Sequence, residues 1–303
     1  MIDKKSVTIL VLIILFISSI EIVLHFLQPF LSKDLKHYKE MDLVLEKFNN
    51  CNKDKVLFIG NSLTREGIDT QLFSEQNKCI ALIRPDDTTI NEWAWIFKSK
   101  VSGRINIKEL KIIFLGSQLK DKPLEVQNLV SISNLVSTNE IFEVIHLEDL
   151  DFSDSASLVL AHWSKVFSSR ERVQRRILAL LPKYKEQSRL INQSLVHAGT
   201  RTEDKIQKNR YRHLKMLIQL AQEKKVRITF IAAPLPKPYK IESNLLDIFD
   251  KYSSISFLDA RKAWDIQDKD FQDGYHLNAR GASKFTKYIL DNDKKYQRKI
   301  NDF

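Results

Sequence analysis

The chain has 303 residues, 43% of them hydrophobic, with only seven glycines, seven prolines and two cysteines, which excludes a low-complexity chain, a disordered chain and a disulfide scaffold. Forty-eight Lys and Arg against 38 Asp and Glu leave a net charge of +10, which calls for an anionic counterpart. No nucleic-acid motif and no interleaving of aromatic with basic residues accompanies that charge, so nucleic acid is set aside in favour of an anionic glycan or phospholipid.

In chain order, the first element is a nearly continuous apolar run, Val7 to Leu27, 21 residues long. As a helix it is long enough to cross about 30 Å of hydrocarbon. Glu21 and His25 interrupt it four residues apart, on one face near its far end, at headgroup level or paired with each other. A cleaved signal peptide is the rival reading, but no small-residue cleavage site follows the run, so an uncleaved anchor through residues 7–27 is expected. Lys4 and Lys5 precede it, yet Lys33, Lys36 and Lys39 follow, so basic residues alone leave the orientation open. Residues 1–32 read as an N-terminal tip and anchor, the tip cytoplasmic if Lys4 and Lys5 set the orientation, 33–50 as a charged juxtamembrane helix, and 51–303 as one α/β domain.

Within that domain, Val56-Leu57-Phe58-Ile59 has the pattern of a parallel strand buried on both faces. Gly60-Asn61-Ser62 follows as a turn. A second strand is expected at 79–83, a helix from Thr88 to Lys100, and a third strand, Lys111 to Leu115, ending at Gly116-Ser117-Gln118. Trp93 and Trp95 on the helix are read as core residues before sugar-stacking ones. Residues 120–215 read as a helical insertion over the active site. Ser164–Leu181 carries Arg170, Arg172, Arg175 and Arg176 on an amphipathic pattern, and Lys205–Leu220 continues it. The basic face is either a solvated surface or a contact for anionic lipid, polymer or a membrane partner. Val226–Ala232 is a strand running into the rigid Ala233-Pro234-Leu235-Pro236-Lys237-Pro238 loop. Ser256–Leu258 is the last strand and Gly281–Leu290 the closing helix.

Cys51 and Cys79 flank the first strand-helix unit, so neighbouring parallel strands would bring them to the same end of the sheet; a disulfide and two free thiols are both open. Two cysteines and seven scattered histidines offer no metal-ligand spacing, and no cofactor is expected.

The chemistry sits in two short segments more than 200 residues apart. A serine hydroxyl is a weak nucleophile until a base takes its proton, and the base works best when a carboxylate fixes its tautomer. Ser62, His276 and Asp273 supply those three groups. Taken singly, Ser62 reads as a helix cap, Asp273-Gly274 as a turn and His276 as a structural residue; the joint pattern is more specific than any of its parts.

Gly60-Asn61-Ser62 resembles the first block of the SGNH (GDSL-like) hydrolase superfamily. Phe271-Gln272-Asp273-Gly274-Tyr275-His276-Leu277-Asn278, followed by Gly281, resembles its last block. More narrowly, Gly60 to Asp69 and Asp273 to Phe285 resemble the membrane-anchored branch tied to acylation of bacterial envelope polysaccharides, which includes proteins of alginate acetylation and teichoic acid D-alanylation. The resemblance implies a three-layer α/β/α, flavodoxin-like domain with a parallel central sheet, placed outside the cytoplasm. It also implies acyl-ester chemistry with Ser62 as nucleophile, His276 as base and Asp273 as its partner. Oxyanion donors would come from the Ser62 N–H, Gly116 and Gln118, the last standing where the family shows asparagine. Ala81-Leu82-Ile83-Arg84-Pro85 lacks the glycine of the second block. Asn61 and Arg84 are the residues expected to touch substrate.

The function this points to is a membrane-anchored O-acyltransferase, O-acetyl by preference, modifying an envelope glycan through a serine acyl-enzyme and working beside a multi-pass membrane acyltransferase. An acyl-ester hydrolase and a catalytically silent assembly subunit are the alternatives.

Overall fold

The N-terminal apolar run folds as helix α1 (Lys4–Leu31), followed by α2 (Lys33–Asn49), in a computed structural model that describes residues 4–31, 33–178, 180, 210–263 and 265–301. With a mean hydropathy of 2.9 and none of its most apolar window buried by protein, α1 is long and apolar enough to span a membrane. The helix α2 buries Leu35, Tyr38, Met41, Leu45 and Phe48, recurring every three or four residues as one amphipathic face.

The chain continues as β1 (Asp54–Ile59), α3 (Ser62–Gly67), α4 (Thr70–Glu75), β2 (Lys78–Ile83), α5 (Ile90–Ile96) and β3 (Glu109–Phe114). It then runs through α6 (Val126–Leu135), α7 (Ile141–Leu147), α8 (Phe152–Trp163) and α9 (Lys165–Leu178). It returns with α10 (Arg212–Glu223), β4 (Arg227–Ala232), α11 (Ser243–Asp250), β5 (Ile255–Asp259) and α12 (Ala279–Asn301). By packing the chain divides into two compact units, one built from Glu40–Lys122 and Asn209–Phe303, the other from Met1–Lys39 and Pro123–Lys208.

The first unit holds a five-stranded parallel sheet in the order β2-β1-β3-β4-β5. The order reverses between β1 and β3, the place where open α/β sheets leave a crevice at the carboxyl ends of their strands. Val56, Leu57, Phe58 and Ile59 are all essentially inaccessible, so both faces of β1 are covered, as the unbroken apolar run requires. One face packs Val56, Phe58, Ile113, Ile231 and Leu258 against Leu63, Ile68, Phe73, Phe285 and Ile289 from α3, α4, α12 and the segments joining them. On the other, Phe249 of α11 stacks on Phe230 at 4.6 Å and on Phe257 at 5.5 Å. Trp93 and Trp95 are fully buried. They belong to the core, which removes sugar stacking as their role.

Lys111 breaks the apolar pattern of β3. Its side chain is completely buried, with Nζ at 2.6 Å from Glu109 and 2.7 Å from Asp293 of α12. Burial pulls the ammonium down, but the two carboxylates outweigh it and hold its pKa above the usual lysine value.

The second unit contains α1 and α6–α9. Leu129, Val130, Ile132 and Leu135 of α6, Ile141 and Val144 of α7, and Leu158 and Ala161 of α8 form its buried positions. His162 ties the end of α8 down, Nδ1 donating to the Ser133 carbonyl at 2.9 Å while Nε2 meets the Thr138 hydroxyl at 3.1 Å. The expected helices over 164–181 and 205–220 correspond in their described parts to α9 and α10. Residues 181–209 and the Arg175 side chain lie outside the described residues.

Candidate active site

The turn after β1 is built around a glycine. Gly60 donates its N–H to Ile83 O at 2.9 Å, continuing the pairing with β2 for one more step. A Cβ placed on it would lie 2.0 Å from the Thr64 hydroxyl, so no side chain fits between strand and helix. Asn61, 4% exposed, is the N-cap of α3: its Oδ1 accepts the Leu63 N–H at 3.0 Å. Its Nδ2 donates to the Thr88 carbonyl at 3.1 Å. Thr88 in turn donates to Pro85 O at 2.8 Å and accepts from the Trp93 indole at 2.9 Å. With one hydrogen bond at each end of its amide, Asn61 is placed to position the turn. Ser62 is then the first residue of α3, where a backbone N–H has no intrahelical acceptor.

The second segment is a tight loop closed on itself. Phe271 and Leu277 form an antiparallel bridge, Gln272 N–H donates to His276 O at 2.9 Å and Asn278 N–H to Asp270 O at 2.8 Å. Gly274 sits at φ +75°, a left-handed conformation that favours glycine. Beneath the loop, buried Asp270 accepts the Gln267 N–H at 2.9 Å and pairs with Lys284 at 3.0 Å and Arg280 at 3.3 Å. Its carboxyl is held below the usual range by that N–H and then by the cations. Gly281 lets α12 press on this loop, since a Cβ there would be 2.3 Å from Asp270 O.

The loop aims three groups in a line. Asp273 Oδ1 accepts the N–H groups of Tyr275 at 3.0 Å and His276 at 2.7 Å. Its Oδ2 lies 2.7 Å from His276 Nδ1, and His276 Nε2 lies 2.9 Å from Ser62 Oγ. In the neutral ring this geometry puts the proton on Nδ1, donated to Asp273, and leaves Nε2 to accept the serine hydroxyl. The His276 side chain and then its N–H draw the Asp273 carboxyl down to about 2. Tyr275 meets the imidazole edge-on at 4.9 Å. A hydroxyl, an imidazole and an ionised carboxylate so connected can remove a serine proton, stabilise the resulting imidazolium, and return the proton to a leaving group.

Two segments far apart in sequence meet because α12 packs on α3. Gly67 faces the Phe285 ring, the Asp69 N–H donates to Thr286 Oγ1 at 2.9 Å, and Leu277 joins Leu63 and Ile68 in one core cluster. Thr286, fully buried, and Thr88 are functional supports that carry no motif of their own. Only their nearness to the two blocks could have marked them.

The other expected site residues are placed less directly. Gly116, at φ +31°, follows β3 at the sheet's switch point. Gln118 turns its Oε1 back to accept the Leu115 N–H at 2.8 Å, which leaves the amide Nε2 as the end able to donate. Arg84 follows β2 and is half-buried; burial and the neighbouring Arg65 pull its guanidinium down. Arg65 is compensated by Glu66 at 2.7 Å and by Asp86. Cys51 and Cys79 are joined as a disulfide with Cα atoms 6.5 Å apart, consistent with Lys55 pairing with Cys79 in the register of β1 on β2.

No protein-family model and no curated protein matches the sequence. Among solved structures, the chain is similar to a protein of Streptococcus pneumonia provisionally named a platelet activating factor, at 12% identity and a TM-score of 0.42, over 86% of this chain and 94% of that one. It is also similar to a provisionally named acylhydrolase from Bacteroides fragilis NCTC 9343, at 12% identity and a TM-score of 0.43, over 87% of this chain and 97% of that one.

Proposed function

We propose that the chain is a membrane-anchored serine acyl-transfer enzyme, with Ser62 as nucleophile, His276 as base and Asp273 as the group that orients the base. The observation that carries this reading is the unbroken line from Asp273 Oδ2 through the imidazole to Ser62 Oγ, at 2.7 and 2.9 Å. In the first half-reaction His276 takes the Ser62 proton as Oγ adds to an acyl carbonyl, and returns it to the departing alkoxide, leaving an ester on Ser62. In the second half, the same imidazole deprotonates an incoming hydroxyl as its oxygen adds to the ester carbonyl, and returns that proton to Ser62 Oγ as the acyl–Oγ bond breaks. Charge on the tetrahedral oxygen would be met by the Ser62 N–H and by the Gly116–Gln118 turn. Each such donor is worth about 3 kcal/mol of barrier.

The finer reading is O-acylation, with acetyl as the group, of an anionic envelope glycan outside the cytoplasm. Three features support it: the resemblance of both blocks to the polysaccharide-acylating branch, an N-terminal helix apolar enough to span a membrane, and the disulfide, which belongs to oxidising compartments. A multi-pass membrane acyltransferase would be the donor-side partner. Hydrolysis is the second reading. Asp273, with a side chain 51% exposed, leaves water an approach to the acyl-enzyme.

The test is incubation with p-nitrophenyl acetate followed by mass spectrometry of the Ser62 peptide, with and without an envelope glycan. Acetyl on Ser62 that moves to glycan supports transfer, and acetyl lost only to water supports hydrolysis. Turnover unchanged in Ser62→Ala would overturn both readings, and no adduct on Ser62 would favour an assembly role.

A further inference from the structure

In the unit that contains α1, Glu21 is not at the end of the apolar helix. Taking Lys5 as the near boundary, the roughly 20 residues needed to cross the hydrocarbon run from Val7 to about Phe26. Glu21 then lies about 7–8 Å inside the far boundary, at 1.5 Å of rise per residue. A carboxylate at that depth needs a partner. The structure supplies one: Glu21 accepts the Ser164 hydroxyl at 3.0 Å, the Val166 N–H at 3.1 Å and the Lys165 N–H. These are the orphan donors at the start of α9, so Glu21 caps that helix from another helix.

The pairing continues along the two helices. Gln28 Nε2 reaches the hydroxyls of Ser168 and Ser169 at 3.4 Å, and Arg176 donates to the carbonyls of Phe30 and Leu31 at 2.6 and 3.2 Å, capping the end of α1 in return. The helix α9 therefore runs alongside the last third of α1, and its first turn lies at the depth of Glu21.

What adjoins that turn is apolar and uncovered. Trp163 immediately precedes Ser164 and is 60% exposed; Leu160 and Phe152, the latter 90% exposed, share its face of α8 by helical spacing, while Leu158 and Ala161 point into the unit. Ile177 at the other end of α9 and Leu180 just beyond it are also exposed. Arg170 lies over the Phe167 ring at 3.8 Å, an arrangement suited to a stem in apolar surroundings with its charge directed outward.

From these observations we infer that the α8–α9 corner is a membrane-inserted wedge, with the acyl-chain region of the bilayer against Leu160 and Trp163 and the arginines of α9 at the phosphate level. The occupant is lipid because α9, which α8 adjoins, packs along the apolar α1, and because the Glu21 contacts place Trp163, next to Ser164, below the headgroups. Backbone N–H groups at that depth have no water to meet, which gives Glu21 its function as a cap inside the hydrocarbon. The inference rests on α1 being a membrane anchor.

The experiment uses the full chain in lipid vesicles, with the wild type minus Trp163→Phe difference spectrum isolating the emission of Trp163. Lipids brominated along the acyl chains are expected to quench that emission at least twofold, while aqueous iodide leaves it unchanged. In Glu21→Ala, iodide quenching of Trp163 is expected to appear. Vesicle-bound protein whose Trp163 is quenched by iodide and not by bromine, or by neither, overturns the wedge while leaving the anchor intact. Protein that does not float with the vesicles overturns anchor and wedge together.

Discussion

Ser62 and His276 stand 214 residues apart in the chain and 2.9 Å apart in the fold. The imidazole is held from behind by Asp273 at 2.7 Å, so the contact is one link in a chain of three groups and not a chance meeting of surface residues. Replacing His276 by Ala removes the base while leaving the loop's backbone bonds in place. Turnover of p-nitrophenyl acetate is expected to fall by roughly 10³-fold or more, with a thermal midpoint within about 2 °C of the parent. Retained turnover measured alongside an unchanged melting curve would remove His276 from the mechanism.

Asp273 adds a pH dependence with a defined sign. Its carboxyl is drawn down to about 2 by His276, so its contribution to stability is present above the ordinary carboxylate value and is lost as pH falls toward 2. Asp273→Asn should therefore show a constant stability deficit above about pH 5, narrowing between about pH 4 and 2. Melting curves across that range test it. A deficit that widens as acid is added would contradict the assignment.

Gly60 is required by space. A methyl group there would meet the Thr64 hydroxyl at 2.0 Å, so Gly60→Ala should destabilise the domain by about 1–3 kcal/mol and shift Ser62 off the imidazole. Adding Thr64→Ala to Gly60→Ala should recover part of the stability, because the clashing oxygen is gone. Urea unfolding of the two single variants and the double variant gives the coupling directly.

Lys111 is tested through its buried carboxylates. Lys111→Met leaves Glu109 and Asp293 facing each other, with Lys78 at 3.9 Å from Asp293 and the more distant charge of Arg227 acting on Glu109. Breaking such a buried pair costs about 3–5 kcal/mol. The raised value of Lys111 means that its stabilising effect is complete below the ordinary lysine pKa and fades as pH climbs past the folded value. Equal melting temperatures for variant and parent at pH 7 would show that the network is dispensable.

Much of this was legible in the residues themselves. Val56–Ile59 read as a strand buried on two faces, Gly60 as a turn, and the nearly continuous apolar run of 21 residues as a helix long enough to cross hydrocarbon, because hydrophobic period and glycine placement act locally. The pairing of Asp273 with His276 was readable for the same reason, since three residues of loop set it. Trp93 and Trp95 were legible in part. Their aromatic faces suit a sugar as well as a core, core being the first reading, and their complete burial settles it.

The sequence by itself determined which chemical groups exist and which local backbone carries them. The tertiary structure decided their company. It set Ser62 against His276 through the packing of α12 on α3, held the Asn61 amide against Leu63 and Thr88, and placed Glu21 at the start of a helix more than 140 residues later. Contacts at that separation are fixed by how whole faces bury, and no local pattern of residues records which faces will meet.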